Sequence, residues 1–172
     1  MDGSTKFDPS GWSQLLSFVS NAARQYLISA TGVRVALVQY SDRATNSIPL
    51  GQYNDANSFG SAVSRIGQLR GGSNLATGLD QARSLLSGSG SRSKVAIIVT
   101  DQFRSSSAIS TAATNAVNSG ILLVGVGLQG ASGLTLDSSA FQSLFRNRVV
   151  LANGYTSLGG IVSQAVLLAC PG

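Results

Sequence analysis

The sequence has 172 residues, of which 43% are apolar and only 11% are charged, and its formal net charge is +5. This length and apolar content fit one domain with a buried core, so we expect a single domain over residues 1–172. Histidine is absent, which excludes a Ser-His-Asp or Cys-His triad and a histidine-ligated zinc ion. No apolar run approaches the roughly 18 residues of a membrane helix, so we expect no membrane insertion.

The cationic side chains are spread along the chain and do not cluster. Lys6 and Lys94 are the only lysines, the other cations are arginines, and no basic run contains interleaved aromatic residues. We therefore expect no nucleic-acid partner.

Helical and strand patterns alternate along the chain. Asp8-Pro9-Ser10 is a helix-start signal, and helical spacing of apolar residues follows from Trp12 to Leu27. Similar spacing predicts further helices at 54–69, 75–86, 106–119, 137–145 and 158–168, and apolar runs predict strands at 33–40, 45–50, 94–100, 121–126 and 148–152. The alternation predicts an α/β fold, a three-layer, doubly wound and mostly parallel sheet.

The run from Lys94 to Thr100 is the most informative strand because it is apolar, β-branched and free of polar alternation. Such a run is typical of a strand buried on both faces of a parallel sheet. Ligand sites in open α/β sheets lie at the carboxyl ends of these strands, where this one meets Asp101. Asp101 is therefore a candidate site residue, and its alternative role is to cap the following turn or helix.

Three polar loops fall where strands are expected to end. They are Asp2-Gly3-Ser4, Gly72-Ser73 and Thr100-Asp101, and they supply carboxylate and hydroxyl oxygens. Hard oxygen ligands suit Mg²⁺, Mn²⁺ or Ca²⁺ rather than zinc. A serine in a single loop is more often a cap, but the three loops at one edge of a sheet predict a metal site.

These motifs resemble the von Willebrand factor type A domain in order and spacing, over nearly the whole chain. The matching segments are Asp2-Gly3-Ser4, VRVALVQYSD (33–42), GGSNLATGLDQA (71–82), VAIIVTD (95–101) and ILLVGVG (121–127). The likeness includes integrin α-chain inserted domains and the A domains of type VI collagen and matrilins. It implies a Rossmann-like fold, no enzymatic activity, a secreted extracellular location, and a metal-ion-dependent adhesion site (MIDAS) whose metal is completed by a partner's carboxylate.

The resemblance also implies the ligands of that site. Asp2 and Ser4 stand in the family's D-x-S-x-S loop, Ser73 replaces a threonine of the second loop, and Asp101 is the acid of the third. Lys6 stands where the second serine, a direct metal ligand in the family, would be. An ammonium cannot ligate a cation and repels it, so we expect a degenerate site that holds Mg²⁺ (or Mn²⁺ or Ca²⁺) weakly or not at all. Lys6 has two other placements open to it, pairing with an acid of the site in the metal's place or pointing to solvent.

Other positions also depart from the family pattern. The apolar first strand that precedes D-x-S in the family is missing, with only Met1 in its place, so we expect a gap or a substitute in mid-sheet and a truncated chain. Gln102 replaces a glycine after the third-loop acid, and Arg104 adds positive charge nearby. Cys170 is the only cysteine, so no internal disulfide can form, and the resemblance implies a partner cysteine ahead of the first strand.

Three functions remain open at this point. The first is an extracellular adhesion or matrix module that meets a matrix protein such as collagen, and the second is a metal-independent assembly module that contacts neighbouring A domains. The third is a nucleotide-binding α/β domain, because Gly125 to Gly130 matches G-x-G-x-x-G after a strand. That motif needs a helix opening at the glycines and an acid about 20 residues later; neither is found, and we expect 131–134 to continue as a loop.

Overall fold

A computed structural model describes residues 1–130 and 136–170 of the chain. The elements are α1 (Pro9–Ala23), β1 (Leu37–Tyr40), β2 (Ala44–Ile48), α2 (Ala56–Val63), α3 (Leu75–Ser87), β3 (Lys94–Thr100), α4 (Ser107–Asn118), β4 (Ile121–Gln129), α5 (Ser138–Leu144), β5 (Val149–Asn153), a 3-10 helix (Tyr155–Ile161) and α6 (Val162–Leu168). The predicted α/β class is confirmed. The loop predicted at 131–134 lies outside the described residues.

The strands form two separate ladders, one parallel and one antiparallel. Strands β3, β4 and β5 pair in parallel in that order, and β1 pairs with β2 as an antiparallel hairpin. Residues Met1 to Gly3 lie between the two ladders: the Asp2 amide donates to Val99 O at 3.0 Å, and the Gly3 amide donates to Tyr40 O at 2.7 Å. This short segment joins the ladders at the carboxyl ends of β1 and β3.

The two ladders meet along a seam between β1 and β3. The expected gap in mid-sheet lies at the amino end of this seam. Within the described chain, no backbone hydrogen bond joins residues 33–37 to residues 94–98. A cavity of about 580 Å³ lies between these two segments. The strand predicted from Val33 is therefore wrong in its first half, since β1 begins at Leu37. An extended segment needs a hydrogen-bonded neighbour, and residues 34–36 have no strand beside them on the gap side.

Two hydrophobic cores sandwich the sheet and give the three layers that the sequence predicts. The first lies against α1, α2 and α6 and includes Phe18, Val99 and Val126. The second lies against α3, α4 and α5 and includes Leu79 and Ile98. Neighbouring residues Ile98 and Val99 point into opposite cores, as the period of a doubly buried strand requires.

The glycines of β4 serve packing. A Cβ on Gly125 would lie 2.7 Å from the ring of Phe145 and 2.8 Å from that of Phe141, and a Cβ on Gly127 would meet Phe141 at 3.1 Å. The two phenylalanine rings contact each other edge-on with centroids 4.6 Å apart. Because these glycines lie inside a strand that continues to Gln129, they do not open a helix, which argues against a dinucleotide loop.

Aspartates begin several helices. The Asp8 carboxylate accepts from the Gly11 amide at 2.7 Å at the start of α1, and Asp55 and Asp137 cap α2 and α5 in the same way. The helix predicted at 54–69 is too long, because α2 ends at Val63. The residues that follow it bind the Gln39 side chain instead, as the next section describes.

Candidate functional site

The Asp2 carboxylate is the centre of the polar cluster at the carboxyl edge of the sheet. It is fully buried, and Oδ1 accepts a hydrogen bond from the Ser4 amide at 2.9 Å. Oδ2 accepts from the Ser73 hydroxyl at 2.7 Å and from the Thr100 hydroxyl at 3.0 Å. Three loops that are distant in sequence therefore converge on one carboxylate, and all three of these donors are neutral.

Backbone contacts hold the loop that follows Asp2. The Gln68 side-chain amide donates to Ser4 O and to Phe7 O, and the Arg70 amide donates to Gly3 O at 2.8 Å. Gln39 holds the other side of the same turn, because its Oε1 accepts from the Leu69 amide at 2.6 Å and its Nε2 donates to Gly67 O at 3.1 Å. These bonds explain why the chain leaves helical geometry after α2.

Ser4 contributes a hydroxyl that the protein itself does not use. Its Oγ is buried, and no hydrogen-bond partner for it occurs among residues 1–130 and 136–170. A buried hydroxyl without a partner is costly, by about 1–3 kcal/mol, unless a ligand or water satisfies it. The Ser4 hydroxyl is thus an oxygen donor available to a ligand at this edge.

Asp101 lies one residue beyond Thr100 and is 1% exposed. Its Oδ2 lies 3.3 Å from the hydroxyl of Tyr155, which also lies 3.4 Å from Lys6 O. Tyr155 begins the 3-10 helix after β5, so it reaches the same edge as the other loops. Sequence reasoning missed it, although its position just after a parallel strand is the signal that pointed to Asp101.

Tyr40 is a second residue of this edge that sequence reasoning missed. Its ring is 2% exposed, and its hydroxyl makes no geometrically acceptable hydrogen bond within the described residues, although Thr100 lies close to it. Burial raises the pKa of the Tyr40 phenol well above its usual value, and the negative charges of Asp2 and Asp101 raise it further. The shift indicates that both carboxylates lie near one phenol.

Of the positions that depart from the family pattern, Lys6, Gln102 and Arg104 lie at the rim of this cluster, whereas Ser73 lies within it. Lys6 and Arg104 are exposed and Gln102 is half-buried, whereas Asp2 and Ser4 are 0% exposed. A flexible lysine at the rim can approach a bound cation only from the solvent side, so water and salt screen its charge. We expect Lys6 to weaken cation binding rather than to replace the cation.

The donor set fits a hard divalent cation in part. Two buried carboxylates and two serine hydroxyls are the oxygen ligands that Mg²⁺ and Mn²⁺ prefer. However, no group of three or more acidic, histidine or cysteine side chains occurs close enough to hold a metal in the described part of the chain. A cation here would depend on hydroxyl oxygens, water and an acid from outside the chain.

Known proteins share this architecture. Mouse vitrin is 29% identical over 134 residues, which are 77% of this chain and 20% of vitrin; human matrilin-3 is 34% identical over 152 residues, which are 84% of this chain and 31% of matrilin-3. The chain thus spans less than a third of either relative. The solved structure of proximal thread matrix protein 1 from the mussel byssus, with a zinc-occupied MIDAS motif, matches 99% of this chain and 46% of its own at a TM-score of 0.85 and 18% identity.

The fold, the order of the three loops along the chain and the family model all point to the same family. No helix in the described residues is long and apolar enough to cross a membrane. The model of the von Willebrand factor type A domain matches residues 1–162, which include all three loops of the polar edge. The chain belongs to the von Willebrand factor type A domain family.

Proposed function

We propose that this chain is a non-enzymatic, extracellular binding module that contacts matrix proteins, such as collagen, through the carboxyl edge of its sheet. The contact surface is centred on a degenerate MIDAS formed by Asp2, Ser4, Ser73 and Asp101. The observation that carries the proposal is the Ser73–Asp2 hydrogen bond of 2.7 Å beside the unpartnered Ser4 hydroxyl. It supports a common ligand for loops that lie 71 residues apart in sequence.

A divalent cation would be held by the two acids and the two serine hydroxyls. When bound, it would supply a positive centre for a carboxylate of the partner. Ser73 and Thr100 would then turn their protons away from Asp2, which frees the carboxylate for the cation. Lys6 at the rim would oppose this charge and could itself attract the partner's acid.

A second candidate function is a metal-independent assembly module that contacts neighbouring A domains. Its support is that Asp2 already accepts hydrogen bonds from Ser4, Ser73 and Thr100, so the buried charge is stabilised without a metal. Such a protein would retain the edge as a structural feature and would bind its partners through other faces.

Thermal unfolding with Mg²⁺, Mn²⁺, Ca²⁺ or EDTA tests the proposal on the native chain, on Lys6→Ser and on a matched control, Lys94→Ser. Lys94 begins β3 at the opposite end of the sheet, so its loss changes net charge equally without touching the site. A cation at 100 times its dissociation constant stabilises by about 2.7 kcal/mol, which raises the melting temperature by roughly 5–10 °C.

We expect Lys6→Ser to gain this shift, and the native chain and Lys94→Ser to show a smaller one. A shift in Lys6→Ser alone would favour the assembly module for the native protein, because its metal site would be intact but disabled. If none of the three proteins responds to cations, the four oxygen donors do not form a cation site and the proposal is wrong.

A further inference from the structure

The net positive charge of the chain is concentrated at one end of the fold. We call this end, at which the parallel strands begin, the basic pole; it lies opposite the carboxyl edge of the sheet. Asp55, which begins α2 after the antiparallel strand β2, is the only acid at this pole among residues 1–130 and 136–170. Six cationic side chains lie there, and five of them are arginines: Arg24, Arg34, Arg92, Lys94, Arg146 and Arg148.

The direction of the chain places these residues at the pole. Helix α1 starts near the carboxyl edge with Asp8, so Arg24 after its last turn lies at the opposite end of the domain. Lys94 begins β3, and Arg148 directly precedes β5, where its carbonyl accepts from the Gly125 amide at 2.9 Å. Residues that are distant in sequence therefore meet at one end of the sheet, which explains why the sequence shows no basic run.

The Arg92 guanidinium is held in place by the loop that follows α1. Its Nη1 donates to Gly32 O at 2.6 Å and to Thr31 O at 3.2 Å, and its Nη2 donates to Ala30 O at 3.5 Å. The side chain is nevertheless exposed, and two of its five N–H donors remain for a ligand. The same loop leads to Arg34, which is also exposed, so two arginines lie close together here.

The other charged residues of the chain balance one another. Asp80 pairs with Arg83 on α3 at 3.7 Å. The remaining five aspartates and five cations all lie toward the carboxyl edge of the sheet. The formal net charge of +5 is therefore the charge of the basic pole, which has six cations and one acid.

Helix ends account for only part of this pattern. A cation near the carboxyl end of a helix is stabilised by the helix dipole, which applies to Arg24 after α1 and to Arg146 after α5. It does not apply to Arg34, Lys94 and Arg148, which lead into strands. Arg146 also has a φ of 50°, in the left-handed region that glycine adopts at less cost. The turn thus presents an arginine side chain where a glycine would be less strained.

The surroundings of these cations indicate the class of ligand. Segments 87–93, 118–120 and 146–148 lie at the pole, and besides arginine their exposed residues are serine, asparagine and glycine, with no aromatic side chain. Single-stranded nucleic acids bind through aromatic stacking, which these segments do not offer. Arginine pairs with the oxygens of an oxyanion through two parallel N–H groups, and hydroxyl and amide side chains suit the hydroxyls of a sugar. Lys94 and Arg148 lead into strands two spacings, about 10 Å, apart, so one linear polyanion can reach both.

We propose that the basic pole binds a sulfated polysaccharide. Its arginine guanidinium groups pair with sulfate groups, and the exposed serine and asparagine side chains bond to the sugar hydroxyls. An end face of one sign of charge also attracts such a polyanion from a distance. The surface lies at the opposite end of the domain from Asp2 and Ser73, so a failure of cation binding at the carboxyl edge would not bear on it.

Binding of heparin to the full chain tests the proposal, by calorimetric titration in EDTA at 50 mM and 200 mM NaCl. We expect the affinity to fall by about tenfold or more between the two salt concentrations, because each pairing of a cation with a linear polyanion releases counterions. Desulfated heparin and single-stranded DNA should bind at least tenfold more weakly than heparin. Equal binding of desulfated heparin would mean that sulfate is not recognised, and equal binding of DNA would indicate a nucleic-acid ligand; either result would overturn the proposal.

Two matched double variants locate the binding. Arg146→Gly with Arg148→Ser removes two exposed charges at the pole, and glycine suits the positive φ at position 146. Arg43→Ser with Arg65→Ser removes two exposed arginines elsewhere, with the same change in net charge. We expect the first pair to weaken heparin binding at least fivefold and the second less than twofold. Equal weakening would mean that net charge alone attracts heparin, and heparin binding that requires Mg²⁺ would place the ligand at the carboxyl edge; both outcomes contradict a site at the pole.

Discussion

The two ends of the seam between β1 and β3 differ in how completely they are filled. At the carboxyl end, Met1 to Gly3 pair with both strands, and Asp2, Thr100 and Asp101 are almost completely buried. At the amino end the same strands face a cavity of about 580 Å³, and β3 is half-exposed from Lys94 to Ile97. One pair of strands is thus part of a closed polar site at one end and of an open apolar groove at the other.

The difference shows that the site and the sheet depend on different residues. At the carboxyl end, the loops bond to Asp2 and to one another through polar groups. The amino end needs apolar side chains and a hydrogen-bonded neighbour over its whole length, and these are absent from the described fold. Within the described residues, the polar contacts around Asp2 are present although the sheet beneath them is interrupted.

The strongest test of the closed end is removal of the Asp2 carboxylate. Asp2→Ala leaves the buried Ser4 amide and the half-buried Ser73 hydroxyl without their acceptor, and takes one of two acceptors from Thr100. We expect the free energy of unfolding to fall by about 3–5 kcal/mol, since each lost bond to a buried charged group costs about 1.5–3 kcal/mol. Urea denaturation of the native and variant proteins measures the change.

Asp55→Ala is the matched control for this substitution. Asp55 caps α2 at an exposed position, where its carboxylate accepts from the Ser58 amide at 2.8 Å. Loss of such a cap costs about 1 kcal/mol. If Asp2→Ala is no more destabilising than Asp55→Ala, the carboxylate does not organise the three loops.

The sequence predicted the elements best where the pattern depends on short-range contacts. Helix α3 and strand β3 occur within one residue of their predicted bounds, because helical spacing and an unbroken apolar run are local signals. Strand β1 was predicted from Val33 but begins at Leu37, since pairing is a long-range property that the segment cannot supply itself. The missing neighbour that explains this shortening was itself an expectation from the family pattern.

For the site, the sequence indicated the loops but not their contacts. The topology rule predicted that Asp2, Ser73 and Asp101 would lie at one edge, and the Ser73–Asp2 bond is consistent with this. That a hydroxyl rather than a lysine would contact Asp2 depends on side-chain orientation, which no sequence pattern encodes. Tyr40 and Tyr155 were missed because an aromatic residue at a strand end usually indicates core packing.

A substitution with a smaller expected effect tests whether the Tyr40 ring is held rigidly at the carboxyl end of the seam. In Gly78→Ala the new Cβ would lie 2.6 Å from Cδ1 of the Tyr40 ring, whereas a Cβ on Gly88 would have no atom within 4 Å. We expect Gly78→Ala to lose about 1–3 kcal/mol by overpacking, and Gly88→Ala to stay close to the native stability in the same thermal melts. Equal stability of the two variants would mean that the ring moves into the groove, and the two ends would then not be mechanically separate.

The smallest expected effect at neutral pH is that of Tyr40→Phe, because the phenol hydroxyl that it removes is buried without a well-formed hydrogen bond. The effect of this substitution on the free energy of unfolding should appear at alkaline pH. The folded-state pKa of Tyr40 is raised above 10.0 by burial and by Asp2, so above about pH 10 the unfolded chain releases a proton that the folded chain retains.

The native protein should therefore lose stability as the pH rises through 10. The Tyr40 phenol contributes up to about 1.4 kcal/mol per pH unit to this loss. In Tyr40→Phe this contribution should be absent. Tyr53→Phe, at a half-buried tyrosine away from the two carboxylates, is the control in urea denaturation at pH 7 and pH 11. Parallel loss in all three proteins would mean that water reaches the Tyr40 hydroxyl through the groove. Solvent would then reach the carboxyl end of the seam as easily as the amino end. In that case the burial of Asp2 could not explain why the three loops are held in place around it.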